Sequence, residues 1–326
     1  MIAVTGAGGF IGRALCAALV NAGAPVREVR RPGAPPPTEG LERAEIPGLE
    51  RGALARAFAG ADVVVHLAGK TRWLRDDAGD PLAAFRQVNV EGTRAAVEAA
   101  ADAGVRRILV ASSVKAVGES TPVPWSESTI PAPTGPYGVS KLEAERAAFA
   151  VAEARGIDTV VMRFPLVYGP GAPPNLLRLV SLVSRGWPLP LGGIDNRRSM
   201  LSTGNLVEAV RALAGIRGLG GQVFFVTDGV DLSTPELIQT IATSLGRRAR
   251  LFRIAPRLFR TAGSIGDVLN RVIRFPMTRA EVQALSGSLV VSNAKLVEWT
   301  GYRPPETPAD GWAAVARWFR NRPRRG

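Results

Sequence analysis

Residues 2–12 read Ile2-Ala3-Val4-Thr5-Gly6-Ala7-Gly8-Gly9-Phe10-Ile11-Gly12. Ile2–Val4 is a short apolar run that reads as a buried strand. Glycines at the spacing G-x-x-G-x-x-G follow it, and Gly9–Ala22 carries the pattern of an amphipathic helix. Strand, glycine turn, helix is the setting that gives such a motif meaning. Glycines let the backbone turn tightly and approach a pyrophosphate. The helix amino terminus then offers free N–H groups and the positive end of its dipole to that anion. Gly6, Gly9 and Gly12, with Phe10 and Ile11 opening the helix, are the expected dinucleotide-binding residues. The alternative is a tight turn with no ligand.

Outward from this turn the alternation continues. Val26–Arg30, Ala61–Leu67, Arg107–Ser112 and Thr159–Phe164 read as strands. Leu54–Ala59, Pro81–Ala103 and Leu142–Arg155 read as helices between them. Short apolar strands separated by helices predict an α/β fold, a doubly wound parallel sheet of the Rossmann type. After Pro165 the texture changes, and Pro and Gly rise across Gly169–Gly193. Residues 1–165 are therefore expected to form the cofactor-binding domain. Residues 166–326 are expected to form a smaller C-terminal substrate domain, with segments returning to the sheet.

Composition narrows the function classes. Of 326 residues, 46% are hydrophobic and 21% charged, as in a globular protein with a real core. Cys16 is the single cysteine and His66 the single histidine, so neither a disulfide nor a metal centre is expected, and a reducing compartment is. Met1 leads straight into the first strand, which predicts no signal peptide, and no apolar run is long enough to span a membrane. A cytoplasmic location follows. The formal net charge of +13 points to an anionic small substrate or a membrane surface. Nucleic acid is not the expected partner, because the arginines are dispersed and lack interleaved stacking aromatics.

At the end of the second strand an acid ordinarily holds the ribose 2′-hydroxyl of NAD. Here that place falls to Arg30, followed by Arg31, and guanidinium groups pair with a 2′-phosphate. NADP is the expected cofactor, with NAD the alternative if Glu28, on the same side of the strand, faces the ribose. Asp62, before the strand Val63–Leu67, is expected to meet the adenine amino group, and Ala68-Gly69 to let the strand end approach the cofactor. His66 reads as a packed, hydrogen-bonded histidine.

Tyr137-Gly138-Val139-Ser140-Lys141 places a phenol and an ammonium four apart at a helix start, on one face. The ammonium lowers the phenol's pKa and lets it exchange a proton. The spacing alone is weak. Its position after a strand ending in Ser112-Ser113 strengthens it, because a hydroxyl there can meet the same substrate oxygen. Ser113 is the expected partner and Ser112 the alternative.

Together with Asn89 in Val88-Asn89-Val90-Glu91-Gly92-Thr93 and with Arg163-Phe164-Pro165-Leu166-Val167-Tyr168-Gly169, these motifs resemble the extended short-chain dehydrogenase/reductase family, in its nucleotide-sugar epimerase/dehydratase branch. The resemblance spans essentially the whole chain. It implies Ser113, Tyr137 and Lys141 as catalytic triad, Asn89 and Pro165 on the cofactor side, and Asn175 and Arg198 as contacts to the substrate diphosphate. It also implies a homodimer.

The family's dehydratases follow the hydroxyl residue with Asp-Glu. Here Val114-Lys115 stands there, so water elimination is not expected. That leaves 4-epimerisation, with NAD held tightly, or reduction of a 4-keto sugar. The wording Ser112-Ser113-Val114-Lys115, Pro188-Leu189-Pro190-Leu191-Gly192 and Asn196-Arg197-Arg198-Ser199 resembles bacterial O-antigen (lipopolysaccharide) enzymes that reduce UDP-2-acetamido-4-keto-2,6-dideoxyhexose. A neighbouring subgroup epimerises polyprenyl-diphosphate-linked N-acetylglucosamine. A UDP-sugar is thus the expected substrate and a 4-reductase the expected activity. The alternatives are a 4-epimerase and a non-catalytic NADP-sensing protein, which would predict a broken triad. Leu251–Ile273, apolar residues interleaved with arginines, reads either as a core helix or as a segment on the inner face of the membrane.

Overall fold

The apolar runs pair into a parallel sheet in the computed structural model, which describes residues 1–34, 41–72, 79–121, 123–253 and 286–322. Its strands are β1 (Ile2–Thr5), β2 (Val26–Arg30), β3 (Glu42–Glu45), β4 (Val63–His66), β5 (Arg107–Ser113), β6 (Asp158–Phe164) and, after two strands outside the sheet, β9 (Val223–Phe225). The spatial order is β3-β2-β1-β4-β5-β6-β9, and every neighbouring pair is parallel. Chain order reverses between β1 and β4. In such sheets the crevice that receives a ligand opens there, beyond the carboxyl ends of the strands.

The sheet is covered on both faces because its strands are apolar on both. Val4, Val65, Leu109 and Met162 face α1 (Phe10–Asn21) and α7 (Thr203–Gly215), against Leu15, Leu19, Leu206 and Val210. Ala3, Val64, Ile108 and Val161 face the other way. They meet Leu54 and Phe58 of α2 (Arg51–Phe58), Val97 of α4 (Gly92–Asp102) and Val151 of α5 (Pro136–Arg155). Leu15, Leu54, Ile108 and Leu109 are fully buried, each stabilising the fold by about 1.5–3 kcal/mol. Cys16 lies in the same core, and burial pushes its thiol up to about 12.

Beyond Pro165 a second sheet forms from β7 (Leu166–Tyr168), β8 (Arg198–Ser202) and β10 (Asp231–Leu232), in the order β10-β8-β7. Its core joins Leu176 and Val180 of α6 (Pro174–Ser184), Ile238 and Ile241 of α8 (Thr234–Ser244), and Trp312 and Val315 of α10 (Pro308–Asn321). A shorter helix, α9 (Ala294–Thr300), precedes α10.

The structure departs from the sequence pattern at four places. β3, Glu-Arg-Ala-Glu, has no apolar alternation and forms only because β2 offers an edge to pair with. The single helix expected over Pro81–Ala103 is α3 (Pro81–Phe85), then a π-helical stretch Arg86–Glu91, then α4. α5 starts at Pro136, not Leu142, since proline suits a first helical position. α6 lies inside the Pro- and Gly-rich stretch that reads as irregular, again opened by a proline. Among the described residues no helix is long and apolar enough to cross a membrane.

Candidate active site

The β1–α1 turn is built almost wholly from backbone. Gly6 has φ 67°, and a Cβ on it would lie 2.8 Å from the Ala68 nitrogen. A Cβ on Gly12 would lie 2.3 Å from the Gly6 carbonyl oxygen. Any side chain at either position forces the turn open. The Gly9 amide donates to the Gly6 carbonyl at 2.9 Å, and Gly9 caps α1 without a side-chain hydrogen bond. The first-turn amides, Phe10, Ile11 and Gly12, therefore stand at the crevice with the helix dipole behind them. These residues fit a dinucleotide pyrophosphate.

Thr5 ties this turn to β4. Its hydroxyl accepts from the Ala68 amide at 3.3 Å and lies 2.8 Å from His66 Nδ1. The hydroxyl and Nδ1 form one buried hydrogen bond whose direction follows the imidazole tautomer. Burial, reinforced by the Lys141 charge, drives His66 down to about 3, so the imidazole is neutral. Ala68 and Gly69 follow shortly after the end of β4.

At the end of β2, Arg30 is buried and engaged. Its Nη1 lies 3.4 Å from Glu28 Oε2 and its Nη2 donates to the Ala34 carbonyl at 2.5 Å. Strand alternation places Glu28 and Arg30 on one side, and the structure pairs them. Arg31 is exposed beside them. The sheet register sets Glu45, at the end of β3, next to Arg30. Sequence reading missed Glu45 because β3 itself left no signal.

The role expected for Asp62 is corrected. Asp62 precedes β4 at the amino edge of the sheet and holds the Met1 ammonium at 2.5 Å. The crevice lies at the opposite edge, four residues away along β4, a distance of about 13 Å. An acid before a strand cannot reach a ligand that binds after it.

The π-helical stretch delivers Asn89 to the crevice. Its Oδ1 accepts from the Lys70 amide at 2.8 Å, and its Nδ2 donates to the Lys70 carbonyl and to Ser140 Oγ, both at 3.0 Å. Ser140 in turn donates to the Tyr137 carbonyl at 2.8 Å. Asn89 thus clamps the loop after β4 to the first turn of α5.

On that turn Tyr137 and Lys141 point toward the end of β5. The Ser113 hydroxyl is within hydrogen-bond reach of the Tyr137 phenol, where burial raises the phenol's pKa and the Ser113 hydrogen bond, a weaker influence, favours the phenolate. Burial brings Lys141 down to about 8, with Glu145 pushing back up. Its Nζ donates to the Ala111 carbonyl at 2.6 Å. Ser112 points elsewhere and donates to Glu145. Phe85 lies against the Tyr137 ring, edge to face, at 5.8 Å. A phenol and an ammonium with a lowered pKa on α5, facing a hydroxyl at the end of β5, can pass a proton to or from an oxygen held between them. Lys115, on the next turn, is ion-paired to Glu119.

Pro165 is buried between β6 and β7. Asn175 is exposed in the first turn of α6, where Arg72 reaches it at 3.3 Å. Arg72, on the loop after β4, belongs to no sequence motif and escapes a reading by spacing. Arg198 opens β8, donates to the Gly287 carbonyl at 2.9 Å and makes no ion pair among the described residues. Burial lowers its pKa. Asn175 and Arg198 thus have different partners, and the fold does not join them directly. Among the described residues no cluster of His, Cys, Asp and Glu could hold a metal ion.

A parallel sheet with a glycine turn at its switch point, and a Ser–Tyr–Lys set one strand further on, is the arrangement of a dinucleotide-dependent enzyme. The chain belongs to the NAD dependent epimerase/dehydratase family, whose model matches residues 2–223. It is 34% identical over 263 residues to a UDP-glucose 4-epimerase of Vibrio cholerae, covering 79% of this chain and 76% of the relative. It is 28% identical over 327 residues to a 4-hydroxy-2-methyl-3-oxo-4-farnesyl-3,4-dihydroquinoline-1-oxide ketoreductase of Stigmatella aurantiaca, covering 96% and 94%. Among solved structures it is similar to MoeE5 in complex with UDP-glucuronic acid and NAD, with TM-score 0.73, 28% identity and 98% of both chains covered.

Proposed function

We propose that the chain reduces the C4 keto group of a UDP-2-acetamido-2,6-dideoxy-4-keto-hexose with NADPH. One observation supports this most: Ser113, Tyr137 and Lys141 stand together, while the following turn carries an ion-paired lysine, Lys115, and no acid–base pair for eliminating water. The nicotinamide, when bound, supplies the hydride to C4. Tyr137 gives its phenolic proton to the C4 oxygen as the carbonyl becomes a hydroxyl. Ser113 donates a hydrogen bond to that oxygen and holds it. Lys141 carries a positive charge next to the phenolate left behind and lowers the cost of making it. Gly6, Gly9, Phe10, Ile11 and Gly12 hold the pyrophosphate. Asn89, Ala68, Gly69 and Pro165 shape the cofactor side, and Asn175 and Arg198 receive the substrate diphosphate. Arg198 suits an anion because, among the described residues, a carbonyl rather than a carboxylate holds it.

The cations that close β2, Arg30 and Arg31, support NADPH. A second reading, a UDP-sugar 4-epimerase that retains NAD, is favoured by Glu28, which takes up part of the Arg30 charge. The spectrum of a cofactor extract from the purified protein separates the two. Protein free of nicotinamide that binds NADPH more tightly than NADH supports the reductase, and stoichiometric retained NAD(H) overturns it. A substrate domain over residues 166–326, a homodimer, and a membrane-facing segment at Leu251–Ile273 belong to the same proposal. Of that segment only residues 251–253 lie among the described residues.

A further inference from the structure

Three consecutive residues of β5 each engage a different residue of one face of α5. The Ala111 carbonyl accepts from Lys141, Ser112 donates to Glu145, and Ser113 reaches Tyr137. Tyr137, Lys141 and Glu145 are spaced four apart, so they line one stripe of the helix. Behind Glu145 stands Arg163 of β6, the sheet partner of Ser112. It donates to both carboxylate oxygens, at 3.0 Å from Nε and 2.7 Å from Nη2. The two side chains are only 5% and 4% exposed. A buried ion pair recovers little stability beyond its desolvation cost, so stability alone is a weak reason for this one.

We propose that Glu145, locked by Arg163 and Ser112, is a positioning residue that fixes α5 on β5 and supplies the negative charge that keeps the Lys141 ammonium in the site. The inference rests on the reading of Tyr137 and Lys141 as the proton-transfer pair. Among the described residues the groups around Lys141 are few. α5 brings Tyr137 and Glu145. β4 brings His66, which is neutral. β6 brings Arg163, whose charge Glu145 takes up. β5 brings Ser112 and Ser113, and the π-helical stretch brings Asn89, none of them titratable. Glu145 is thus the one carboxylate among the described residues that raises the lysine's proton affinity. In Glu145→Gln that anion is gone and the Arg163 charge is uncompensated, and both changes drive the proton off Lys141.

The chain has four lysines, Lys70, Lys115, Lys141 and Lys295, so a titration of 13Cε-lysine-labelled protein resolves them. Lys141 is assigned as the signal lost in Lys141→Arg. The wild-type signal is expected to titrate at about 8. In Glu145→Gln its midpoint falls by about one pH unit or more, a tenfold weaker hold on the proton, while Glu145→Asp keeps it near the wild-type value. If Glu145→Gln does not fold, Glu145→Gln/Arg163→Met removes the buried pair together, and its Lys141 midpoint lies below that of Glu145→Asp. Coincident midpoints in these comparisons overturn the proposal. The alkaline limb of kcat moves with the lysine midpoint. A shifted lysine in a protein that never turns over a 4-keto sugar leaves the positioning role standing and sinks the reductase reading. Turnover with an unshifted lysine does the reverse.

Discussion

The β1–α1 turn and the β5–α5 seam open on one crevice but are made of different material. The turn is backbone: glycines without Cβ atoms, an uncapped helix end and a single hydroxyl at Thr5. The seam is side chain: Ser112, Ser113, Tyr137, Lys141, Glu145 and Arg163 in one connected set. A backbone site tolerates no added atom, yet its strength does not depend on any one side chain's ionisation. A side-chain site accepts isosteric change sterically, but each change alters charge or proton affinity. Substitutions in the two regions should therefore fail in different ways.

Gly12→Ala should have the largest effect. Its Cβ meets backbone at 2.3 Å, which no rotamer relieves, and overpacking of this kind costs about 1–3 kcal/mol. Loss of nicotinamide dinucleotide binding by calorimetry, with a lower melting temperature, is expected. Binding within twofold of wild type would show that the turn is not the cradle. Tyr137→Phe should lower kcat by about 10²–10⁴-fold with cofactor affinity unchanged. A variant that keeps a tenth of wild-type kcat would remove Tyr137 from proton transfer.

Lys141→Met sharpens the contrast. A base whose folded pKa, about 8, lies below its usual 10.5 is protonated less readily in the fold than in the unfolded chain. It therefore destabilises the fold at neutral pH, by about 1.4 kcal/mol for each pH unit by which folding lowers its pKa. Removing it should abolish turnover and raise the unfolding midpoint in urea by the equivalent of about 1–3 kcal/mol. A fall in stability would mean the lysine is held by more than it costs.

At neutral pH the smallest effect belongs to the Thr5–His66 contact under the turn. His66 falls from 6.5 to about 3 on folding. Its contribution is fully present above pH 6.5 and is lost progressively as pH falls toward 3, at no more than about 1.4 kcal/mol per pH unit. Urea midpoints at neutral and at acid pH should differ less in His66→Asn than in wild type, and equal differences would assign the acid sensitivity elsewhere.

The same division explains what could be read in advance. Local spacing writes the glycine turn and the Tyr137–Lys141 pair directly into the chain. The alternation of apolar strands and helices likewise predicts the doubly wound sheet. What escaped depends on pairing between distant segments. Glu145 belongs to no motif that spacing singles out, and its role emerges only where β6 brings Arg163 to it. Arg30 reads as a cation open to a 2′-phosphate until Glu28 and the Ala34 carbonyl take hold of it. Asp62 reads as a ligand because it borders a strand, but which edge of the sheet it borders depends on strand direction and on the Met1 ammonium beside it. β3 carries no pattern of its own and exists because β2 leaves an edge beside it.

The most direct measurement is the absorbance of NADPH in the presence of a UDP-2-acetamido-2,6-dideoxy-4-keto-hexose generated in place by a dehydratase, with NADH in a parallel cuvette. Oxidation of NADPH faster than NADH, with one product hydroxyl formed at C4 per cofactor consumed, is the expected result. No oxidation of either cofactor, together with interconversion of UDP-N-acetylglucosamine and UDP-N-acetylgalactosamine, would contradict it and establish the 4-epimerase.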